Sequence, residues 1–338
     1  MFSFALVAGL GGREPFYSDP ALCKDSRDRL VKDGAEWFFL THIGFERGKV
    51  RWVVQCIGKD FDQLLCDVAV SPRSVLLLDY DGTLAPFCQS RHRAYPYPGV
   101  SSLIKEIMDS ERTRVVIITG RRAVDIISLL GLLPHPEIWG SYGMERLRPT
   151  GSYESPRMSW EVKEGLKNAG NWLAKRDLQH IGERKPGSLA VHWRGLAQAT
   201  AKEIREQVLE GWQPIAERCH MALVEFDGGL EIRIHGYNKA SALSVILKEI
   251  GPEVPIACLG DDSTDEQAFR CLGDRGLSVL VRPEWRQTEA SAWLKPPEEL
   301  LSFLTLWLIA CRGDRQKRSA RQTNGEHKQS AGEHDIAS

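Results

Sequence analysis

The chain has 338 residues, 42% of them hydrophobic and 26% charged, a balance that suits a large buried core and excludes a disordered chain. Forty-four Lys plus Arg stand against 45 Asp plus Glu, so a basic nucleic-acid binder is excluded as a reading of the whole chain. No apolar run reaches membrane-spanning length, the apolar residues 1–12 follow no basic segment, and the 8 Cys form no CxxC pair; neither a leader, a disulfide framework nor a zinc site is indicated, and a cytoplasmic setting is expected.

Residues 1–70 read as an N-terminal extension of unclear structure, with a strand near 51–56, a helical turn near 60–68 and no chemistry of its own. A partner-docking role for it stays open. From Ser74 the pattern sharpens. Ser74-Val75-Leu76-Leu77-Leu78-Asp79 is a continuous apolar run ending in acid, as in a central parallel strand buried on both faces. A helix over 99–110, a strand over 113–120, a helix over 122–130 and a strand over 137–141 follow, an α/β alternation. Beyond 146 the texture changes to a helix over 160–176, a strand over 188–193, a helix over 197–212 and a hairpin of 221–226 with 229–234, a small antiparallel sheet covered by helices. The first pattern then returns with a helix over 239–250, a strand over 254–262, a helix over 264–271, a strand over 277–281 and a helix over 297–310. Residues 312–338 are nearly devoid of apolar side chains and read as a disordered tail. The division expected is therefore an α/β core in two parts, 71–145 and 235–311, with an α+β cap over 146–234 inserted between them.

The acids at strand ends carry the chemistry. Asp79 and Asp81 flank Tyr80 where the first core strand ends, and residues i and i+2 of extended chain share a side. Ligands of open α/β sheets bind at the carboxyl ends of the strands. Thr119-Gly120 ends a second strand, and Asp261-Asp262, with Asp265 behind them, ends a third. Carboxylates crowded at one edge repel each other unless a cation neutralises them, and an all-oxygen set favours Mg²⁺. Lys239, at a helix start, is the side chain available to help reverse the local sign for a phosphate.

Taken in order, Asp79-Tyr80-Asp81-Gly82-Thr83-Leu84, Thr119-Gly120-Arg121 and Gly260-Asp261-Asp262-Ser263-Thr264-Asp265-Glu266 resemble the motifs of the haloacid-dehalogenase-like (HAD) phosphatases. With Ala190-Val191-His192-Trp193-Arg194, Glu231-Ile232-Arg233 and Asn238-Lys239, residues 75–308 resemble the trehalose-6-phosphate phosphatase family. The resemblance implies a Rossmann-like parallel-sheet core with an inserted α+β cap, and Mg²⁺-dependent hydrolysis of trehalose 6-phosphate through an aspartyl-phosphate. It makes Asp79 the nucleophile and Asp81 the general acid–base. Asp79, the Asp81 carbonyl and Asp261 become metal ligands supported by Asp262 and Asp265, and Thr119 and Lys239 become phosphoryl-holding groups. It points to Arg121, Glu145, His192, Arg194, Glu231 and Arg233 as sugar contacts. Two positions depart from the family: Tyr142 stands where a histidine is usual, and Ala240 where a glycine follows the lysine. Another HAD sugar-phosphate phosphatase, acting on sucrose phosphate or a glucosyl-phosphoglycerate, and a weakly catalytic sugar-phosphate sensor linked to trehalose-phosphate synthase are the alternatives. A sugar phosphate is the expected partner, with neither nucleic acid nor membrane.

Overall fold

The computed structural model describes side chains over 61–313, apart from residues 89, 91 and 227, and in addition only the backbone of four short strands between 30 and 51, of 58–60 and of 314–329. The expectations for 1–29, for 52–57 and for 330–338 lie outside the described residues. Among the described N-terminal residues, β1 (Leu30–Lys32) and β2 (Ala35–Trp37) form one two-stranded sheet, and β3 (Gly44–Glu46) and β4 (Lys49–Arg51) a second, antiparallel one.

The elements that position the site begin with α1 (Gly58–Val70) and β5 (Ser74–Leu78). There follow α2 (Val100–Asp109), β6 (Thr113–Ile118), α3 (Ala123–Leu130), β7 (Glu137–Gly140), β8 (Glu145–Leu147) and β9 (Tyr153–Glu154). After the inserted segment come α6 (Lys239–Ile250), β14 (Ile256–Gly260), α7 (Glu266–Leu272), β15 (Leu277–Val281), β16 (Ala292–Leu294) and α8 (Glu298–Gln329). The insertion holds α4 (Trp160–Ala174), β10 (Gly182–Lys185), β11 (Ser188–His192), α5 (Gln198–Arg218), β12 (Met221–Phe226) and β13 (Gly229–Ile234).

The main sheet runs β16-β15-β14-β5-β6-β7-β8-β9, parallel from β16 through β7 and antiparallel at β8 and β9. The apolar run at 74–78 is the reason β5 sits in the middle. Leu76 and Leu78 face one cluster with α1, α2, α3 and α8, and Val75 and Leu77 face the other with α6 and α7. A strand with no polar side to offer water is stable only between two helical layers. The expected fold class, an α/β core with a small α+β insertion, is the one observed.

The insertion is a four-stranded antiparallel sheet, β10-β11-β13-β12, whose inner face packs on α4 and α5 around Trp212, Leu166, Val208, Leu230 and Ile232. Here the sequence reading needs correction in several places. The main sheet continues through β8 and β9 to Glu154, eight residues beyond the expected start of the cap; these strands are too short and charged to show an alternation. β10 escaped for the same reason, Gly182-Glu183-Arg184-Lys185 having no apolar period at all, and β16 is apolar but only three residues long. α5 runs on to Arg218 through Pro214, because Trp212, Ile215 and Ala216 continue its buried face. α1 belongs to the core rather than to an extension over 1–70: Phe61, Leu64 and Val68 are buried, and the Phe61 ring stacks on Phe303 of α8 at 5.1 Å. The backbone of α8 continues as helix to Gln329 where disorder is expected from 312; Ala, Arg, Gln, Glu and Lys there are good helix formers even without an apolar face.

Candidate active site

β5 delivers Asp79 to its carboxyl end at 5% exposure. The chain then turns tightly: Tyr80 O accepts from the Leu84 and Ala85 amides at 2.9 and 3.0 Å, and the Thr83 hydroxyl donates to Asp79 Oδ2 at 3.2 Å. Gly82 holds φ +85°, and a Cβ there would lie 2.2 Å from Asp261 Oδ2. The turn needs glycine both for its conformation and for the approach of the neighbouring acid.

β6 delivers Thr119, whose Oγ1 accepts from the Arg121 amide at 3.1 Å. α6 delivers Lys239 as its first residue. Asn238 and Ser241 form a capping box, the Asn238 side chain accepting from the Ser241 amide at 2.8 Å and Ser241 Oγ accepting from the Asn238 amide at 3.0 Å. Thus fixed, the Lys239 ammonium donates to Asp79 Oδ1 at 2.6 Å and to Asp265 Oδ1 at 2.8 Å. β14 delivers Asp261 and Asp262. Asp262 Oδ1 accepts from the Thr264 amide at 2.7 Å and hydroxyl at 2.6 Å.

Carboxylate oxygens of Asp79, Asp261 and Asp265 lie within 4.8 Å of one another, all three residues buried. With all three ionised, the carboxylates against one ammonium leave two negative charges, which one divalent cation would balance. Burial raises the Asp79 carboxyl above its ordinary value, with Lys239 pulling it back. Burial and the charges of Asp79 and Asp265 raise Asp261 much further, and burial likewise raises Asp265 against the pull of Lys239. Burial would lower the Lys239 ammonium, but Asp265 and Asp79 push it well above its ordinary value. Asp262 is half-buried; partial burial would raise its carboxyl, yet Lys239 and the Thr264 hydrogen bonds hold it low. Asp261 Oδ2 is buried with no hydrogen-bond partner. An unpaired buried carboxylate oxygen is costly unless a ligand takes it, so the donor set fits a hard divalent cation such as Mg²⁺. The side-chain cluster includes Asp265 and leaves out the Asp81 carboxylate, both of whose oxygens accept from Arg121, from Nε and Nη2, at 2.6 Å.

One cleft between the main sheet and the inserted sheet collects most of the expected residues: Asp79, Asp81, Thr119, Arg121, Lys239, Asp261 and Asp262 below, His192 and Arg194 above. Asp265 is not among the lining residues and lies behind them, accepting from the Lys239 ammonium at 2.8 Å. Three expected sugar contacts are not brought to the cleft wall. Glu145 is buried against α3, accepting from Ser141 Oγ at 2.5 Å, from Tyr153 OH at 3.2 Å and from the Ala123 amide at 3.3 Å. Glu231 is buried behind Lys185, accepting from its ammonium at 3.1 Å and from Ser188 Oγ at 2.8 Å. Arg233 lies with its guanidinium over the Tyr142 ring at 5.0 Å.

The cleft also holds residues that sequence reasoning missed. Lys185 enters it from β10, its ammonium 5.5 Å from the centre of the Tyr142 ring; Phe226, from β12, stands 5.4 Å from the His192 ring. Phe87 lines the mouth beneath Arg194, whose guanidinium lies 4.7 Å above its ring. The only signal for Phe87 was its place eight residues after the nucleophile candidate. Tyr142 lines the cleft, and burial pushes its phenol up, so it stays a neutral donor. A wall of cations and aromatic faces over a carboxylate floor is suited to a phosphate ester with a polar, ring-shaped leaving group.

Known proteins resemble this chain over the same region. The family model for trehalose-phosphatase matches residues 77–294. A bifunctional trehalose-6-phosphate synthase/phosphatase of Thermoproteus tenax is 27% identical over 223 residues, 66% of this chain and 30% of that protein. A probable trehalose-phosphate phosphatase C of Arabidopsis thaliana is 28% identical over 264 residues, 72% of this chain and 79% of that one. Among solved structures, the trehalose-6-phosphate phosphatase of Aspergillus fumigatus superposes with a TM-score of 0.55 at 25% identity, covering 74% of this chain and 98% of that one. The match takes in both halves of the main sheet and the insertion between them, and on that ground the chain belongs to the trehalose-phosphatase family, whose members are phosphoric monoester hydrolases.

Proposed function

We propose that this chain hydrolyses trehalose 6-phosphate to trehalose and phosphate through an aspartyl-phosphate on Asp79, with Mg²⁺ bound by Asp79, the Asp81 carbonyl and Asp261. The observation that carries the reading is the buried Asp79 carboxylate shared between Lys239 and Thr83, beside an Asp261 oxygen with no partner of its own. The bound cation would supply charge neutralisation for the incoming phosphate. The protein does the rest. Asp79 Oδ attacks phosphorus, forming an O–P bond as the bond from phosphorus to the sugar oxygen breaks. Asp81 gives its proton to that oxygen, then takes one from the water that attacks the acyl phosphate, which releases phosphate and restores Asp79. Both Asp81 oxygens are held by Arg121, so substrate entry must free one of them before it can act. Lys239 and the Thr119 hydroxyl hold the phosphoryl oxygens where charge builds up. His192, Arg194 and Lys185 meet the sugar, and the inserted sheet excludes water from the reaction. The proposal places the reaction in the cytoplasm, with a functional link to a trehalose-phosphate synthase; among the described residues no helix is long and apolar enough to cross a membrane.

The test is phosphate release from trehalose 6-phosphate beside sucrose 6-phosphate and glucosyl-phosphoglycerate, with Mg²⁺ and with EDTA. Expected is metal-dependent release that favours trehalose 6-phosphate, and background release by Asp79→Asn with an unchanged circular dichroism spectrum. Release from the other esters alone would discard the trehalose assignment and keep the mechanism. Turnover by Asp79→Asn would remove Asp79 as the nucleophile.

A further inference from the structure

The backbone of Asp261 and Asp262 is tied down from two sides. On the amide side, Asp265 Oδ2 accepts from both N–H groups at 3.2 Å. On the carbonyl side stand two guanidiniums from the segment after β15. Arg282 Nη1 donates to Asp261 O at 3.1 Å. Arg286 Nη2 donates to Asp262 O at 2.7 Å and to Asp261 O at 3.3 Å, with its Nε 3.4 Å from the same Asp261 oxygen. Arg286 is itself pinned by an ion pair with Glu266, which also accepts from the Thr288 hydroxyl at 2.9 Å and the Glu289 amide at 2.7 Å. All four backbone polar groups of the two acids are therefore engaged, while Asp261 Oδ2 has no partner. Neither arginine is among the residues lining the cleft, so each acts through the backbone of the acids and not on substrate.

We propose that Arg286, assisted by Arg282, is a positioning residue for the divalent cation: it clamps the Asp261–Asp262 backbone so that the free Asp261 oxygen stays aimed at the site shared with Asp79. This rests on the metal reading above. A carboxylate already held in its binding geometry loses less freedom on taking up the ion, and the groups that orient metal ligands set affinity by about 10–100-fold. Lysine at 286 would reach one carbonyl but not both, because an ammonium is a single point where the guanidinium is a fork.

The test measures Mg²⁺ binding to the full chain by titration calorimetry, with the melting temperature of the metal-free protein as a second readout. For Arg286→Met the Mg²⁺ dissociation constant should rise by roughly 10–100-fold, Arg286→Lys should recover part of that, and KM for the sugar phosphate at saturating Mg²⁺ should stay near that of the unaltered chain. A lower melting temperature with unchanged Mg²⁺ affinity would make the contacts a structural stitch and overturn the inference. Should Arg286→Met fail to fold, Arg282→Met, which gives up only the contact to Asp261 O, carries the test: a smaller rise supports the clamp and an unchanged constant overturns it. Absence of Mg²⁺ binding by the unaltered chain would remove the metal reading and this inference with it, whereas equal binding by the unaltered chain and the variants removes the inference alone.

Discussion

Gly82 and Gly151 both hold a left-handed backbone, φ +85° and +84°, but only Gly82 is walled in by an acid of the site. Alanine at either position carries the backbone strain, about 1–3 kcal/mol. At 82 its Cβ would also displace Asp261, so turnover should fall by roughly tenfold for each ~1.4 kcal/mol of lost alignment. Gly151→Ala has open space and should keep its kcat; comparing kcat and melting temperature of the two variants separates alignment from strain. Much of the site at this scale was legible in the chain itself. An acid after a buried apolar run announces a strand-end position, and the structure has Asp79 directly after β5 and Asp261 directly after β14, with the Lys239 ammonium between Asp79 and Asp265. What residue type does not encode is direction. Glu145 and Glu231 are as acidic as a sugar contact requires, yet each turns to groups inside the protein, Ser141 and the α3 amide for one, Lys185 and Ser188 for the other.

Elements explain the remaining gaps. β10 has no apolar period, and its Lys185 becomes a cleft residue only because pairing with β11 and the ion pair with Glu231 carry it there. The clamp arginines sit in a segment between strands, where no periodicity applies. α1 is the opposite case, a helix whose apolar spacing was visible but whose partner, α8, lies far along the chain. Its Phe61 ring fills the space against Phe303, so Phe61→Ala should cost about 3–5 kcal/mol in chemical denaturation; a cost below 1 kcal/mol would return the helix to a dispensable extension. A truncation through residue 65 would remove Phe61 and Leu64 together and should not yield folded protein. Where β6, β7 and β8 meet α6, Glu249 takes both Nη atoms of Arg146 at 2.7 and 2.9 Å and Arg114 Nη2 at 2.7 Å. The Arg146 hydrogen bonds, with Arg114 beside them, draw the Glu249 carboxyl down to about 2 from its ordinary 4.5. A group with a depressed folded value contributes stability that is fully present above pH 4.5 and lost as pH falls toward 2. Glu249→Gln should therefore lower the melting temperature by a few degrees near neutral pH, with the gap to the unaltered protein closing as pH falls from 4.5 to 2. A gap that persists at pH 2 would assign the loss to packing.

At the scale of the whole molecule, side chains of the main sheet and of the inserted segment meet at the cleft. Arg194 over Phe87 ties the inserted sheet to the turn after Asp81. Such a contact is worth about 0.5–2 kcal/mol, so Arg194→Ala should raise KM by roughly two- to thirtyfold with a smaller change in kcat; steady-state kinetics on trehalose 6-phosphate decide it, and an unchanged KM would place closure elsewhere. The order of strands has a consequence for synthesis. β5 is flanked by β6, which follows it closely, and by β14, which emerges about 180 residues later. At translation rates of about 5–20 residues per second, the nascent chain shows the open side of its most apolar strand for on the order of 10–40 s. During that window Val75 and Leu77 have neither α6 nor α7 to cover them, and an uncovered strand edge is a template for pairing with another chain. Slowing translation across the inserted segment would lengthen that exposure, and slowing it before α7 would prolong the wait for the last of the covering helices.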